Sequence, residues 1–263
     1  MMRAFLAGAG LVLLGAFYRQ RRRTAALEAQ LESAAADLQR LQETCSSLAP
    51  AGVVQQLLAG PVDTGAERKE VTALFADLVG YTAMSERLEP PVMARVLNGY
   101  YQCMSDAIHD HRGHVATLVG DGILAYFGAI QPNPWQSDDA VRAALAMRAA
   151  IRDYNRQLEA EGLPRLAIGV GIHRGTGLAG LVGARERKEY AFVGRTVNLA
   201  ARVQGLTRIH QVDILVTAAA REHLDPRFML KAMPPEPVKG IAEPVLTWAV
   251  IEQGGAGPSE TRA

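Results

Sequence analysis

Apolar residues follow three rhythms along this chain, and each predicts a different kind of element. Ala4 to Tyr18 is a continuous uncharged run built on Phe5, Leu6, Leu11, Val12, Leu13, Leu14 and Phe17, and Arg19, Arg21, Arg22 and Arg23 follow at once. From Thr24 to Leu48 the apolar positions are Leu27, Leu31, Ala34, Leu38, Leu41, Cys45 and Leu48, alternately four and three residues apart. After that, short strand-like runs interleave with long amphipathic helical stretches.

The first run is shorter than the ~20 residues of a comfortable membrane span. A cleaved signal peptide competes, but it carries its positive charge ahead of the apolar stretch and small residues at a cleavage site behind it. Here only Arg3 precedes the run and four arginines follow. A packed or amphipathic helix is the third alternative. The flanks favour residues 1–23 as a single-pass inner-membrane anchor with a basic border, leaving the rest of the chain in the cytoplasm. The second rhythm, over residues 24–49, is a heptad seam. One amphipathic helix lying on its own domain is the plainer reading; the narrow, strict stripe favours a parallel two-stranded coiled coil. Cys45, on that seam, reads as a packing residue.

Pro50 closes the seam. A short helix at Val53–Leu58 and a Gly/Pro/Asp-rich linker at Gly60–Gly65 lead into a globular unit, placed at residues 50–252, with a Gly/Ser/Pro-rich tail at 253–263 that reads as disordered. Inside the unit the pattern predicts a strand at Val71–Ala76 and a helix at Pro91–His111 with a Pro-Pro start. Strands at Val115–Val119 and Ile123–Phe127 flank a Gly-Asp-Gly turn, and a helix at Asp138–Glu159 follows. Further strands fall at Leu166–His173, Leu178–Val182 and Glu189–Val193, then a helix at Thr196–Leu206 and strands near Asp213–Val216 and Leu246–Ile251. Hairpins mixed with helices, without a strict βαβ rhythm, predict an α/β (α+β) sandwich: a ferredoxin-like, mixed or antiparallel sheet with flanking helices.

Composition narrows the field a little. At 263 residues the chain holds one good-sized domain plus appendages. A net charge of +1 gives no global field for nucleic acid. Two cysteines far apart, Cys45 and Cys103, argue against a disulfide framework and fit a reducing compartment.

The candidate chemistry lies where apolar runs break. Asp77 ends one run and Asp121 interrupts another between Gly120 and Gly122. A carboxylate at the end of a buried strand is costly unless something pairs with it. Two brought together repel unless a cation sits between them, and hard oxygen ligands suit Mg²⁺ shared with phosphates. After Asp77, the backbone of Gly80, Tyr81 and Thr82 turns from strand toward helix and could cradle phosphate, although an ordinary turn explains it equally. Asn198 and Arg202, at i and i+4, share one face of an otherwise buriable helix. A solvated stripe is the usual fate of such a pair, yet Arg suits phosphate geometry and Asn can fix a hydroxyl. Gly175 to Gly180 spells G-x-G-x-x-G, but a strand rather than a helix follows and no acid stands downstream, so the glycines read as a tight hairpin. His109, His111 and His114 alternate faces and read as a solvated turn rather than a metal site.

Taken together, these segments resemble the class III adenylyl/guanylyl cyclase catalytic domain. Leu74 to Thr82 looks like its first metal motif, Gly120 to Ala125 its second, Val197 to Arg202 its transition-state helix, and Val238-Lys239-Gly240 its phosphate-lysine motif. The resemblance implies ATP as substrate and cyclic AMP as product. It implies two Mg²⁺ or Mn²⁺ ions at Asp77, Asp121 and Leu78, with Asn198 positioning the ribose and Arg202 stabilising charge on the α-phosphate. Lys239 would hold the β/γ-phosphates, with Gly80, Tyr81 and Thr82 beside them. It also implies a homodimer, since family sites take their metal aspartates from one domain and Asn, Arg and Lys from the other. The base that removes the 3′-proton is not legible. The base-reading positions depart from the family: Thr117 stands where adenylyl cyclases usually carry Lys, and Ala191 where they carry Asp or Thr. Neither matches the Glu and Cys of guanylyl cyclases, and Arg195 replaces a frequent Asp. A weakly selective, regulatory cyclase-like module is therefore the alternative. A diguanylate cyclase needs Gly-Gly-[Asp/Glu]-Glu-Phe in the hairpin, and the chain has Val-Gly-Asp-Gly-Ile there.

Overall fold

The computed structural model describes residues 67–184 and 187–253, together with a helical piece at 30–37 and positions 21 and 39. The anchor expected at 4–18, most of the coil at 24–49, the helix at Val53–Leu58, the linker at Gly60–Gly65 and the tail from Gly254 lie outside the described residues. The chain divides into two units, Met1–Ala59 and Gly60–Ala263. In the first, residues 30–37 are helical, with Leu31 and Ala34 of the expected seam both exposed. No helix among the described residues is long and apolar enough to cross a membrane.

The second unit is built on one eight-stranded sheet. Its strands are β1 (Glu67–Leu78), β2 (His114–Val119), β3 (Gly122–Phe127), β4 (Ile168–Ala184), β5 (Arg187–Val193), β6 (Ile214–Thr217), β7 (Phe228–Ala232) and β8 (Thr247–Gln253). Its helices are α1 (Tyr81–Ser85), α2 (Pro90–Asp110), α3 (Gln136–Ala160), α4 (Arg195–His210) and α5 (Ala218–Arg221). The strand order is β2-β3-β1-β4-β6-β8-β7, with β5 paired to β4. Among the described strands only β4 and β6 run parallel. The first four strands with their helices form a βαββαβ unit in the order β2-β3-β1-β4, the ferredoxin-like arrangement the pattern predicts.

β1 explains why the sheet is covered on both faces. Leu74, Ala76 and Leu78 point to one side and pack with Tyr100, Met104 and Ile108 of α2 and Val141, Ala144 and Met147 of α3. Val71 and Ala73 point to the other and pack with Phe192 and Ala200. A strand buried on both faces reads as a nearly continuous apolar run, as this one does. Polar clamps fix the helices. Asn155 of α3 donates to the Leu166 carbonyl at 2.8 Å and accepts from its amide at 2.7 Å, fixing the approach to β4. Arg112, at φ 60 in the turn after α2, grips the buried Asp139 of α3 with two bonds of 2.9 and 2.7 Å.

The expected glycine hairpin is not there. The strand predicted at Leu166–His173, from Ile168 on, and the one at Leu178–Val182 are parts of β4, which runs unbroken for 17 residues and pairs with β5 as far as Ala184. The glycines serve a close approach instead. A β-carbon at Gly171 would stand 2.2 Å from the Gln204 amide nitrogen and 2.4 Å from the Ala200 carbonyl oxygen. At Gly175 it would stand 2.7 Å from the Thr196 hydroxyl. Bare backbone at alternate positions makes the trough in which α4 lies. α4 itself runs to His210, a full turn past the expected Leu206. β7 was not predicted, because only Phe228 of its five residues is buried and no apolar alternation marks it.

Two histidines should make the domain acid-sensitive. Burial pushes both His114 and His173 down to about 4, with the charge of His109 adding to the effect at His114. His173 also keeps Nδ1 2.9 Å from the Thr217 hydroxyl. An unfolded histidine titrates near 6.5, so between these values the unfolded chain binds more protons. Stability is therefore fully present above about pH 6.5 and declines toward pH 4, by on the order of 2–3 kcal/mol per histidine. Thermal unfolding at pH 7 and pH 4.5 checks this, with a smaller acid-induced fall expected in His173→Gln.

Candidate active site

Asp77 is the penultimate residue of β1, and Asp121 sits in the turn between β2 and β3. β1 pairs with β3 up to Ala76 opposite Ile123, which brings the end of β1 beside that turn. Burial and then the neighbouring Asp121 carboxyl push Asp77 up to about 6, while the Arg208 guanidinium and the Leu78 amide pull it down. Tyr101 donates its hydroxyl to the Gly120 carbonyl and steadies the turn. Behind the pair, the Tyr100 hydroxyl is fully buried with no hydrogen-bond partner. Its acidity is suppressed first by burial, then by the charges of Asp77 and Asp121.

A third group completes the cluster. Arg208, from the last turn of α4, places one guanidinium nitrogen 3.2 Å from Asp77 Oδ2 and 3.2 Å from the Leu78 carbonyl oxygen. Two neighbouring carboxylates and a carbonyl, with a positive group on one carboxylate and the carbonyl and an orphaned hydroxyl behind, suit a hard divalent cation. No group of three His, Cys, Asp or Glu side chains forms among the described residues. Further ligands would come from water and phosphate, the usual company of Mg²⁺. Gly80, at φ 76, leads straight from this cluster into the five-residue α1, with Tyr81 half-buried and Thr82 exposed.

Asn198 and Arg202 sit on α4, Asn198 exposed and Arg202 half-buried. The Val238-Lys239-Gly240 turn comes to them: at Gly240, φ 76, a β-carbon would stand 3.2 Å from the Arg202 guanidinium. Val238 is buried with Val203 and Leu206 of α4 and anchors the turn, while Lys239 stays exposed. So the structure gathers Arg202 with the Lys239 turn, and Asp77 with Asp121 and Leu78. It does not bring the two groups together within one chain. At ~1.5 Å rise and ~100° per residue, Asn198 lies roughly 15 Å and Arg202 roughly 9 Å along the axis from Arg208, each facing another way. Thr117 is exposed on β2 beside a bulge between Val115 and Thr117. Ala191 is half-buried on β5 opposite Gly180.

Sequence reasoning missed Arg208 and Tyr100. Arg208 fell beyond the expected end of its helix, although no breaker stands before Gln211, the left-handed cap at φ 54. Tyr100 was hidden among the apolar residues of α2, where nothing local separates a core tyrosine from one facing a carboxylate.

Comparison with known proteins agrees with this geometry. Residues 65–252 match the family described as Adenylate and Guanylate cyclase catalytic domain. An adenylate cyclase of Anabaena cylindrica is 36% identical over 183 residues, covering 68% of this chain and 34% of that protein. Adenylate cyclase 1 of Rhizobium meliloti (strain 1021) is 34% identical over 152 residues, covering 58% of this chain and 23% of that protein. The chain thus spans about a third or less of the length of these curated relatives. Among solved structures, the adenylyl cyclase CyaB from P. aeruginosa aligns with a TM-score of 0.67 at 29% identity, over 72% of this chain and 96% of that one. The guanylyl cyclase Cya2 aligns with a TM-score of 0.62 at 32% identity, over 71% and 93%. The chain belongs to the adenylate and guanylate cyclase catalytic domain family.

Proposed function

We propose that this chain is an adenylate cyclase, forming 3′,5′-cyclic AMP and pyrophosphate from ATP in a homodimer with two shared active sites. The observation that carries the reading is the carboxyl pair, Asp77 with Asp121, delivered by separate elements to one spot, with a guanidinium of the chain already on Asp77. When bound there, two Mg²⁺ or Mn²⁺ ions supply charge neutralisation and a more acidic ribose 3′-hydroxyl; Asp77, Asp121 and Leu78 would hold them. The remaining work belongs to positioning and electrostatics, as in phosphoryl transfer generally. Asn198 orients the ribose. Arg202 meets the charge growing on the α-phosphate, and the Lys239 turn behind it keeps the guanidinium in place while Lys239 takes the outer phosphates. Gly80, Tyr81 and Thr82 border the triphosphate beside Asp77.

Division of the site between two copies is supported by the ~9–15 Å that separate Asn198 and Arg202 from the Asp77 end of α4. Apolar surface beside the site also asks for cover: Leu118, Val119 and Val193 are each about half exposed. The heptad at 24–49 would hold the copies side by side, and the apolar run at 4–18 would fasten them to the inner membrane with the catalytic unit in the cytoplasm.

Product analysis tests the assignment. Purified chain with Mn²⁺ should convert ATP to cyclic AMP, and Asp77→Ala should not; absence of any cyclic nucleotide from wild type would refute it. A second reading, a weak and base-unselective module, is favoured by Thr117 and Ala191, which offer one hydroxyl and no charge to the base. A site without specific polar partners discriminates poorly. An ATP-over-GTP preference in kcat/KM below about tenfold would support it.

A further inference from the structure

The guanidinium of Arg208 stands on two of the oxygens assigned to metal binding, Asp77 Oδ2 and the Leu78 carbonyl, at 3.2 Å from each. It arrives from α4, an element with no other part in this cluster. Without it, Asp77 would face Asp121 without this positive neighbour, and burial already disfavours charge there. The arginine side chain is half exposed, so it has solvent into which it can swing. Arginine is weakly hydrated and its nitrogens fan out, which suits it to bridge a carboxylate and a carbonyl. A divalent ion competing for the same two oxygens carries twice the charge and displaces it.

We propose that Arg208 is an internal stand-in for the divalent cation, holding Asp77 and the Leu78 carbonyl in place until metal displaces it and thereby setting the affinity for metal. The inference rests on the metal assignment made above and adds to it a residue that opposes binding rather than providing it. Metal entry then includes a side-chain exchange: one guanidinium leaves, one ion arrives, and the carboxylate keeps a positive neighbour throughout.

The test uses the full chain without nucleotide at pH 8, titrated with Mn²⁺ and followed by the electron paramagnetic resonance signal of free Mn²⁺. Wild type, Arg208→Gln, Arg208→Lys and Asp77→Asn are compared. Arg208→Gln should bind Mn²⁺ roughly three- to tenfold more tightly, with Arg208→Lys in between, since a half-exposed ion pair is a modest competitor. Thermal unfolding in EDTA supplies a second readout. Arg208→Gln should melt below wild type without metal, and Mn²⁺ should raise its melting temperature by more than it raises that of wild type. Unchanged or weaker Mn²⁺ binding in Arg208→Gln, with Asp77→Asn still impaired, would overturn this proposal alone. If wild type and Asp77→Asn bind Mn²⁺ equally poorly, the metal assignment falls and the stand-in role falls with it.

Discussion

Chains carrying Asp77→Ala and chains carrying Arg202→Ala should each be inactive alone and regain activity when mixed. On the proposed reading Asp77 serves the metal and Arg202 the phosphate, and within one chain Arg202 stands along α4 from the Asp77 end. Losing either should lower turnover by at least ~10³-fold, since metal clamps and transition-state cations each supply several kcal/mol. In a two-fold dimer of mixed chains, one site takes both defects and the other takes neither. Random pairing makes half the dimers mixed, so recovery should reach about a quarter of wild-type activity. Cyclic AMP formation in a mixing series measures it directly. No recovery, with both variants folded and dimeric by sedimentation, would mean that each chain builds its site alone.

Gly171→Ala should also be damaging, by a purely steric route. Its β-carbon would stand 2.2 Å from the Gln204 nitrogen and 2.4 Å from the Ala200 carbonyl, both backbone atoms that no rotamer change can clear. The sheet or α4 must shift. The expected cost is about 2–4 kcal/mol of stability, read by urea unfolding. Activity should fall more than tenfold even where the fold survives, because the helix that moves carries Asn198 and Arg202 and a ~1 Å misplacement is severe in phosphoryl transfer. Gly205, on the same helix, is the control. Nothing lies within 4 Å of its missing β-carbon, so Gly205→Ala should be neutral or stabilising by up to about 1 kcal/mol.

Much of this was legible in the sequence. The abrupt placement of Asp77 and Asp121 at the edges of apolar runs marked the carboxyl pair, since only a purpose keeps charge there. The Pro-Pro start of α2 and the Gly-Asp-Gly turn were local signals, and both elements formed as expected. The glycines of β4 misled, because Gly-rich sequence is ambiguous between a turn and a close approach; which one applies depends on a helix packed across the sheet. Arg208 and Tyr100 acquire meaning only from tertiary neighbours, and no spacing rule in one sequence points to them. The altered positions Thr117 and Ala191 were visible at once. The structure adds that one is exposed on a bulged strand and the other half-buried on a strand paired with β4.

α4 holds Arg208 against Asp77 while presenting Asn198 and Arg202 elsewhere, and in the proposed two-fold dimer that elsewhere would be the neighbouring centre. Filling one centre with ion and nucleotide would then loosen one end of a rigid rod whose other end would serve the second centre. The pair would not respond independently: initial-rate curves should depart from hyperbolic form, with a Hill coefficient different from one that returns toward one when Arg208 is replaced.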